Sequence, residues 1–309
     1  MAGRSNSGVR IAGSRVLLTG ASSGIGRELA KRLAARGAVL AVSGRRGPLL
    51  ESLADEIAAS GHAGPVAIEA DLSKRGEAGR LAAEAEAALG GVDVLVNNAG
   101  GGVGGTIAAI ADRDEGREAF EVNYWSPLAL VGSLAPAMTE RGSGAIVNVT
   151  SMAQVSSWIG FGGYAATKAA LGLATETLAM ELSGTGVLVM EVMPGPVDTA
   201  VQGETRLAPG IDRMLARSPL GDPAEMARLI AEALERGRTR LIYPRRAILA
   251  YALPALVRRD TRRLAARTVR DLDDETRDGF GSLVVRTGSM GDTREAREAW
   301  DAARSSPPS

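Results

Sequence analysis

Tyr164 and Lys168 stand four residues apart in the run Tyr-Ala-Ala-Thr-Lys, and on a helix that spacing puts both side chains on one face. A free phenol titrates near 10, and an ammonium beside it favours the phenolate, typically by roughly 1 to 3 pKa units. Such a pair can serve as a general acid/base near neutral pH. Lysine is scarce here, three residues against 33 arginines, and a lysine kept under that bias suits work that arginine cannot do, such as titrating or acting as a compact ammonium. The bland reading of the same residues is a packed aromatic beside an incidental surface lysine. Ser151 lies thirteen residues before Tyr164, after an apolar run whose end could bring its hydroxyl beside the phenol, although strand-end serines are commonly turn formers.

A second group of residues suits a phosphate. The run Thr19-Gly20-Ala21-Ser22-Ser23-Gly24-Ile25-Gly26 follows the first apolar run and precedes a helical pattern. Gly20 permits a tight turn, Gly24 lets backbone approach a pyrophosphate, and Gly26 allows close helix-strand contact, with helix N-terminal N–H groups facing the anion. In a chain with 39 glycines the spacing gains its meaning from its place after the first strand. Asn97-Asn98-Ala99-Gly100 follows the fourth strand, where two amides and a glycine can hold backbone beside a bound nucleotide. Asp71, at the end of the third, can accept from an adenine amino group or simply start a helix as an N-cap.

These residues need a frame to bring them together. Short runs rich in Val, Leu and Ile recur at 16–19, 39–43, 66–70, 92–96, 145–149 and 187–193, separated by helically spaced segments such as 27–36, 49–59, 78–89 and 164–182. That alternation implies βαβ units and a sheet covered on both faces, hence an α/β fold: a doubly wound parallel sheet, Rossmann-like, in a single domain. After Met193 a Pro- and Gly-punctuated stretch runs to Gly221 and suits a substrate loop, followed by a helix over 223–236 and a short strand over 241–243. Residues 10–245 are read as the dinucleotide-binding and catalytic domain, and 246–309 as a C-terminal extension, partly helical, with a charge-rich tail from about residue 260 that is ordered in patches at best. The acidic run at 271–275 lacks the glycine and the closing glutamate of a calcium loop and reads as a solvated charge run.

Composition narrows the remaining classes. With 309 residues, 45% hydrophobic and 23% charged, the chain can bury a sizeable core, and wholesale disorder is excluded. Lys plus Arg and Asp plus Glu both number 36, which removes the bulk electrostatic case for a nucleic-acid partner. The absence of Cys excludes disulfides, thiolate metal sites and cysteine nucleophiles, and His62, in a turn-like Ser-Gly-His-Ala-Gly, is the single histidine. No metal is expected. No leader pattern and no run near the roughly 18 apolar residues of a membrane span is present, so the expectation is a cytoplasmic protein without a transmembrane span.

Taken together, TGASSGIG at 19–26, Asp71, NNAG at 97–100, Asn123, Ser151, YAATK at 164–168 and PGPVDT at 194–199 resemble the short-chain dehydrogenase/reductase family, in its compact branch, over about residues 13–245. The resemblance implies an NAD(P)-dependent oxidoreductase with strand order 3-2-1-4-5-6-7. It implies that Tyr164 exchanges the proton with the substrate oxygen and that Ser151 hydrogen-bonds that oxygen. Lys168 would lower the Tyr164 pKa and hold the nicotinamide ribose, while Asn123 positions a water linking Lys168 to solvent. Gly20, Ser22, Ser23, Gly24, Ile25, Gly26, Asp71, Leu72, Asn97, Asn98, Ala99 and Gly100 would bind the dinucleotide. Pro194 and Gly195 would turn the chain so that the Val197 backbone and the Thr199 hydroxyl fix the carboxamide. Helices near 117–140 and 164–182 would pair across two-fold axes, giving a homodimer or homotetramer.

The cofactor choice is the sharpest reading. After the second strand the chain runs Val42-Ser43-Gly44-Arg45-Arg46, with Gly44 where an NAD-selective site usually offers an acid to the ribose 2′-hydroxyl. Arg45 can then meet a 2′-phosphate with a planar fork, and Arg46 either assists or is a solvated helix-start residue. NADP(H) is expected to be preferred and NAD(H) possible, acting on a small-molecule carbonyl or alcohol. Two other classes are weighed: a cofactor-sensing protein without turnover, which would not need an acid/base pair, and a non-redox lyase using the same tyrosine. Beyond 245, Arg245-Arg246 and Arg258-Arg259 bracket the largely apolar 247–257. Eleven residues cannot span a bilayer, leaving a packed C-terminal helix or subunit contact, or an interfacial membrane or lipid-gating segment.

Overall fold

Strands apolar on both faces can be stable only between two helical layers, and that arrangement is adopted. The computed structural model describes residues 8–155, 158–198, 220–270 and 284–287. The strands are β1 (Arg15–Thr19), β2 (Val39–Gly44), β3 (Val66–Glu69), β4 (Val94–Asn97), β5 (Gly102–Gly105), β6 (Gly144–Val149), β7 (Val187–Pro194), β8 (Arg240–Tyr243) and β9 (Val284–Thr287). Seven of them form one parallel sheet in the order β3-β2-β1-β4-β6-β7-β8, which is 3-2-1-4-5-6-7 counted along that sheet.

Alternate residues of each strand serve opposite layers, as the two-residue period requires. Val16, Leu18, Val94, Val96, Ala145 and Val147 join one core cluster with α1 (Gly24–Ala34), α2 (Gly47–Ala59) and α8 (Pro223–Glu235). Leu17, Leu95 and Ile146 point the other way, into a cluster with α3 (Glu77–Leu89) and α6 (Ser126–Glu140), which Leu178 of α7 (Gly162–Glu181) borders. The in-register pairs Leu18↔Val96, Asn97↔Asn148 and Val149↔Val192 bring the ends of β1, β4, β6 and β7 to one edge of the sheet. That carboxyl edge is where a doubly wound sheet binds ligands.

Three elements differ from the sequence expectation. The helical stretch expected over 117–140 is broken into α5 (Asp114–Phe120), one π-helical segment (Glu121–Trp125) and α6. Past β8, α9 (Ala247–Ala252) is followed by α10 (Pro254–Arg270), a regular helix within the segment expected to be a charge-rich tail. Its covered side is formed by Val257, Thr261, Leu264 and Thr268, an i, i+3/i+4 row that outweighs the arginines between them. The antiparallel pair β5–β9, two strands outside the main sheet, was not expected either. A short α4 (Ile107–Ile110) follows β5. Thr199, most of the expected substrate loop and the acidic run at 271–275 lie outside the described residues. No helix among the described residues is long and apolar enough to cross a membrane.

Candidate active site

The turn after β1 is held by its neighbour across the sheet. Thr19 Oγ1 accepts from the backbone N–H of Asn98 and Ala99 at 3.1 and 3.0 Å, and Asn98 Nδ2 donates to the carbonyls of Thr19 and Gly20 at 3.0 and 3.1 Å. Gly20 adopts φ +70°, and a Cβ there would sit 2.7 Å from Ala99 Cα. At Gly26 a Cβ would lie 2.2 Å from the Gly20 carbonyl oxygen. Backbone is thus brought closer than any side chain allows, which is the cradle that a pyrophosphate fits.

Ser23, the N-cap of α1, gives no side-chain cap to its own helix. Its hydroxyl instead accepts from Arg46 at 2.9 Å, and Ser22 Oγ accepts two further bonds from Arg46, at 3.1 and 2.6 Å. The first-turn N–H groups of α1 are therefore left without a side-chain acceptor, beside a guanidinium. Gly44 lies at the same corner, its missing Cβ 3.5 Å from Ser22 Oγ. Arg46, rather than the more exposed Arg45, is the arginine that bonds to the glycine-rich turn at 20–26. Ile25 packs against the core.

Asn97, Asp71 and Leu72 each have a partner within the fold. Asn97 is 2% exposed, and its amide donates to Asn148 Oδ1 at 2.8 Å inside the sheet. Asp71 is a turn residue: its carboxyl accepts from the N–H and the hydroxyl of Ser73 at 3.2 and 2.7 Å. Leu72 is buried and its carbonyl takes the Ser126 hydroxyl.

Ser151, Tyr164, Lys168 and Asn123 do come together. Ser151 lies two residues past β6 and N-caps a 3-10 turn (Met152–Gln154), its Oγ accepting from Ala153 N–H at 3.1 Å. Tyr164 stands in the first turn of α7 and shares a hydrogen bond with Ser151. Lys168, one turn on, is 3% exposed, donates to the Val149 carbonyl at 2.9 Å and lies 6.0 Å from the Tyr164 ring centroid. Asn123, fully buried in the π-helical segment, accepts from Gly101 N–H at 3.2 Å and donates to the Gly101 carbonyl and to Thr167 Oγ1. Gly100 fits between them, since a Cβ there would meet Asn123 Oδ1 at 3.0 Å and Lys168 Nζ at 3.2 Å.

Burial pushes the Tyr164 phenol above its ordinary value, opposed by the Ser151 hydrogen bond, and burial pulls the Lys168 ammonium down to about 8.

At the far end of the edge, Gly195 N–H donates to the Tyr243 carbonyl at 2.6 Å, just past the Pro194↔Tyr243 pair, and Val197 bridges Gly221. Sequence reasoning missed what supports Ser151. Glu191, 4% exposed on β7, accepts from Thr150 Oγ1 at 3.0 Å, from Gln154 Nε2 at 2.9 Å and from Arg240 Nε at 2.8 Å. Its one available signal was an acid inside the otherwise apolar run 187–193. Thr19 and Thr167 were also missed, although both lie within the quoted motifs.

Comparisons with known proteins agree with this geometry. The short chain dehydrogenase family model matches residues 14–209. A short chain dehydrogenase of Pseudocercospora fijiensis is 40% identical over 194 residues, 62% of this chain and 62% of that protein, so the chain spans under two thirds of its length. A fatty acyl-CoA reductase of Mycobacterium tuberculosis is 33% identical over 250 residues, 80% of this chain and 82% of that one. Among solved structures, a short-chain dehydrogenase from Sphingobium yanoikuyae in complex with NADPH superposes with TM-score 0.68 at 26% identity, covering 84% of this chain and 97% of that one. One from Burkholderia phymatum in complex with NAD gives 0.71 at 28%, covering 79% and 94%.

Proposed function

Because the chain belongs to the short chain dehydrogenase family, and so to the oxidoreductases that use a nicotinamide cofactor, we propose that it interconverts a ketone or aldehyde and an alcohol, with Tyr164 exchanging the proton at the substrate oxygen. The observation that carries this reading is the Tyr164 hydroxyl bonded to Ser151 above the buried Lys168.

The cofactor supplies or accepts the hydride. In the reducing direction Ser151 holds the substrate oxygen by a hydrogen bond, and Tyr164, kept protonated at neutral pH by its burial, gives that oxygen a proton as its negative charge grows. Lys168 is charged below about 8 and stabilises the phenolate left behind. The Val149 carbonyl fixes the ammonium, and Asn123 keeps the backbone at Gly101 beside it. The glycine-lined turn at 20–26 and Ala99–Gly100 would hold the dinucleotide, with Val197 and Thr199 at its nicotinamide end.

The preference proposed is NADP(H). Gly44 offers no carboxyl group to a ribose 2′-hydroxyl, while Arg46, with Ser22 beneath it, presents a fork to a 2′-phosphate, and Arg45 assists from the exposed side. Replacing Arg46 by alanine should weaken NADPH binding at least about tenfold, the effect of losing one charge-assisted bond, and leave NADH binding within about twofold. Arg45→Ala should show a smaller selective loss. Titrating both cofactors against the three proteins decides it: equal losses for the two cofactors, or tighter NADH binding by the wild type, contradict the assignment.

A homodimer or homotetramer is part of the proposal. Trp125, Leu173 and Met180 are 55%, 69% and 67% exposed on the π-helical segment and on α7, and symmetric pairing would bury them. Light scattering at micromolar concentration should return a multiple of the 31.8 kDa chain, and a monomer would refute the pairing. A cytoplasmic setting is proposed on the absence of Cys.

A further inference from the structure

β8 runs parallel to β7, so the chain leaves it at the edge that holds Ser151 and Tyr164 and turns directly into α9 and α10. Residues 245–270 contain eight arginines and one acid, Asp260, in a protein whose formal charge is zero. The side chains are sorted. Along α10 the covered row is apolar or hydroxylic, and Arg258, Arg259, Arg262, Arg263, Arg267 and Arg270 occupy the exposed arc. Just ahead of them, Ile248, Leu249, Leu253 and Leu256 are 47%, 68%, 45% and 52% exposed.

This segment is fastened to the catalytic edge. The Arg240 guanidinium lies 4.9 Å above the centre of the Tyr251 ring, and Arg258 Nε donates to the Val155 carbonyl at 3.0 Å, in the turn that follows Ser151. Four outward aliphatic side chains within nine residues are costly to leave in water. Nucleic acid would match the arginines but give the aliphatic side chains nothing to enter, and an apolar protein groove would leave the positive arc unanswered. An anionic bilayer answers both: phosphates lie in the plane of the arginines and hydrocarbon lies just beneath. Charge and apolar insertion are the two signals that reversible surface attachment combines.

We propose that residues 245–270 dock the protein on an anionic lipid surface, with Ile248, Leu249, Leu253 and Leu256 entering the headgroup–acyl boundary and Arg259, Arg262, Arg263 and Arg267 of α10 lying on the lipid phosphates. The docking is independent of the chemistry assigned to Tyr164, and it sets the catalytic edge near the membrane.

The test is co-sedimentation of the full chain with vesicles of phosphatidylcholine alone and of phosphatidylcholine with phosphatidylglycerol, at low and high salt. Pelleting is expected with the anionic vesicles only, and is expected to fall as salt screens the arginines. Each cationic side chain near such a surface raises partitioning by roughly fivefold, so Arg259→Glu/Arg263→Glu should lower it by at least about 25-fold. Leu249→Asp/Leu253→Asp should lower it independently of salt while leaving the circular dichroism and the oligomer mass unchanged. The proposal is overturned by failure to pellet with anionic vesicles at low salt, or by undiminished pelleting of either double variant. It is equally overturned by tighter binding to duplex DNA than to vesicles at the same salt, or by a Leu249→Asp/Leu253→Asp protein of altered oligomer mass, which would make the face a subunit contact.

Discussion

The two sides of the carboxyl edge are built by different means. On the β1–β4 side, the backbone of the turn that would hold the dinucleotide is fixed mainly by neutral, short-range chemistry, glycines where no Cβ fits, one threonine hydroxyl and one asparagine amide, with Arg46 bonded to Ser22 and Ser23 at its rim. On the β6–β8 side, the Ser151 turn is fixed by a single buried carboxyl group, Glu191, which joins three strands or turns through Thr150, Gln154 and Arg240. The first side distributes its support over many backbone groups, each of modest value. The second concentrates it in one side chain that three partners share.

That contrast can be broken most sharply at Glu191. Glu191→Ala should cost about 2 kcal/mol in urea unfolding, since the partly exposed Arg240 loses its ion-pair partner and Thr150 and Gln154 each lose one of two acceptors. It should also lower kcat at least about tenfold, because the Ser151 hydroxyl is no longer held in line, while NADPH binding stays within about twofold. A variant that weakened cofactor binding as much as kcat would show the two sides to be one unit.

Lys168 lies between the sides, and its effect is read in pH. Its folded pKa of about 8 lies below the ordinary lysine value of 10.5, so the unfolded chain binds more protons between those values and this group makes stability rise with pH. Lys168→Met lacks that dependence. Its stability advantage over the wild type should therefore shrink by about 2 kcal/mol between pH 7 and 9.5, measured by urea unfolding at each pH. A constant gap would mean that the ammonium is not desolvated.

Thr19→Val should have the smallest effect. It keeps the shape but strands the Ala99 N–H, at a cost of about 1 kcal/mol, and it should raise the NADPH dissociation constant with kcat unchanged at saturation. A fall in kcat with unaltered cofactor affinity would reverse the proposed division of labour.

The same contrast explains what could be read from the sequence. Gly20, Gly26, Asn98 and the Tyr164/Lys168 pair were legible because their roles follow from local spacing, and the apolar runs at 16–19, 92–96 and 145–149 announced the parallel sheet through their composition. Glu191 and Arg240 were not legible, because they are 49 residues apart and only the parallel pairing of β7 and β8 brings them together. The bonds from Asn97 to Asn148 and from Ser73 to Asp71 were not legible either, the first because it crosses between two strands and the second because it belongs to an irregular turn. The bonds from Arg46 to Ser22 and Ser23 were not legible for a simpler reason. Arg45 and Arg46 differ by one step in an irregular turn, and only the N-cap position of Arg46 on α2 directs it to Ser22 and Ser23. In α10 the row Val257, Thr261, Leu264 and Thr268 had helical spacing, but the density of charge argued for a tail and prevailed.

The central claim, that Tyr164 moves the proton, is tested most directly by the rate of NADPH oxidation with a panel of ketones and aldehydes, wild type against Tyr164→Phe. The account predicts that the variant binds NADPH with unchanged affinity, keeps its fold and loses about 10²- to 10⁴-fold in kcat. Turnover within a few-fold of the wild type, with the cofactor bound equally well, would contradict it.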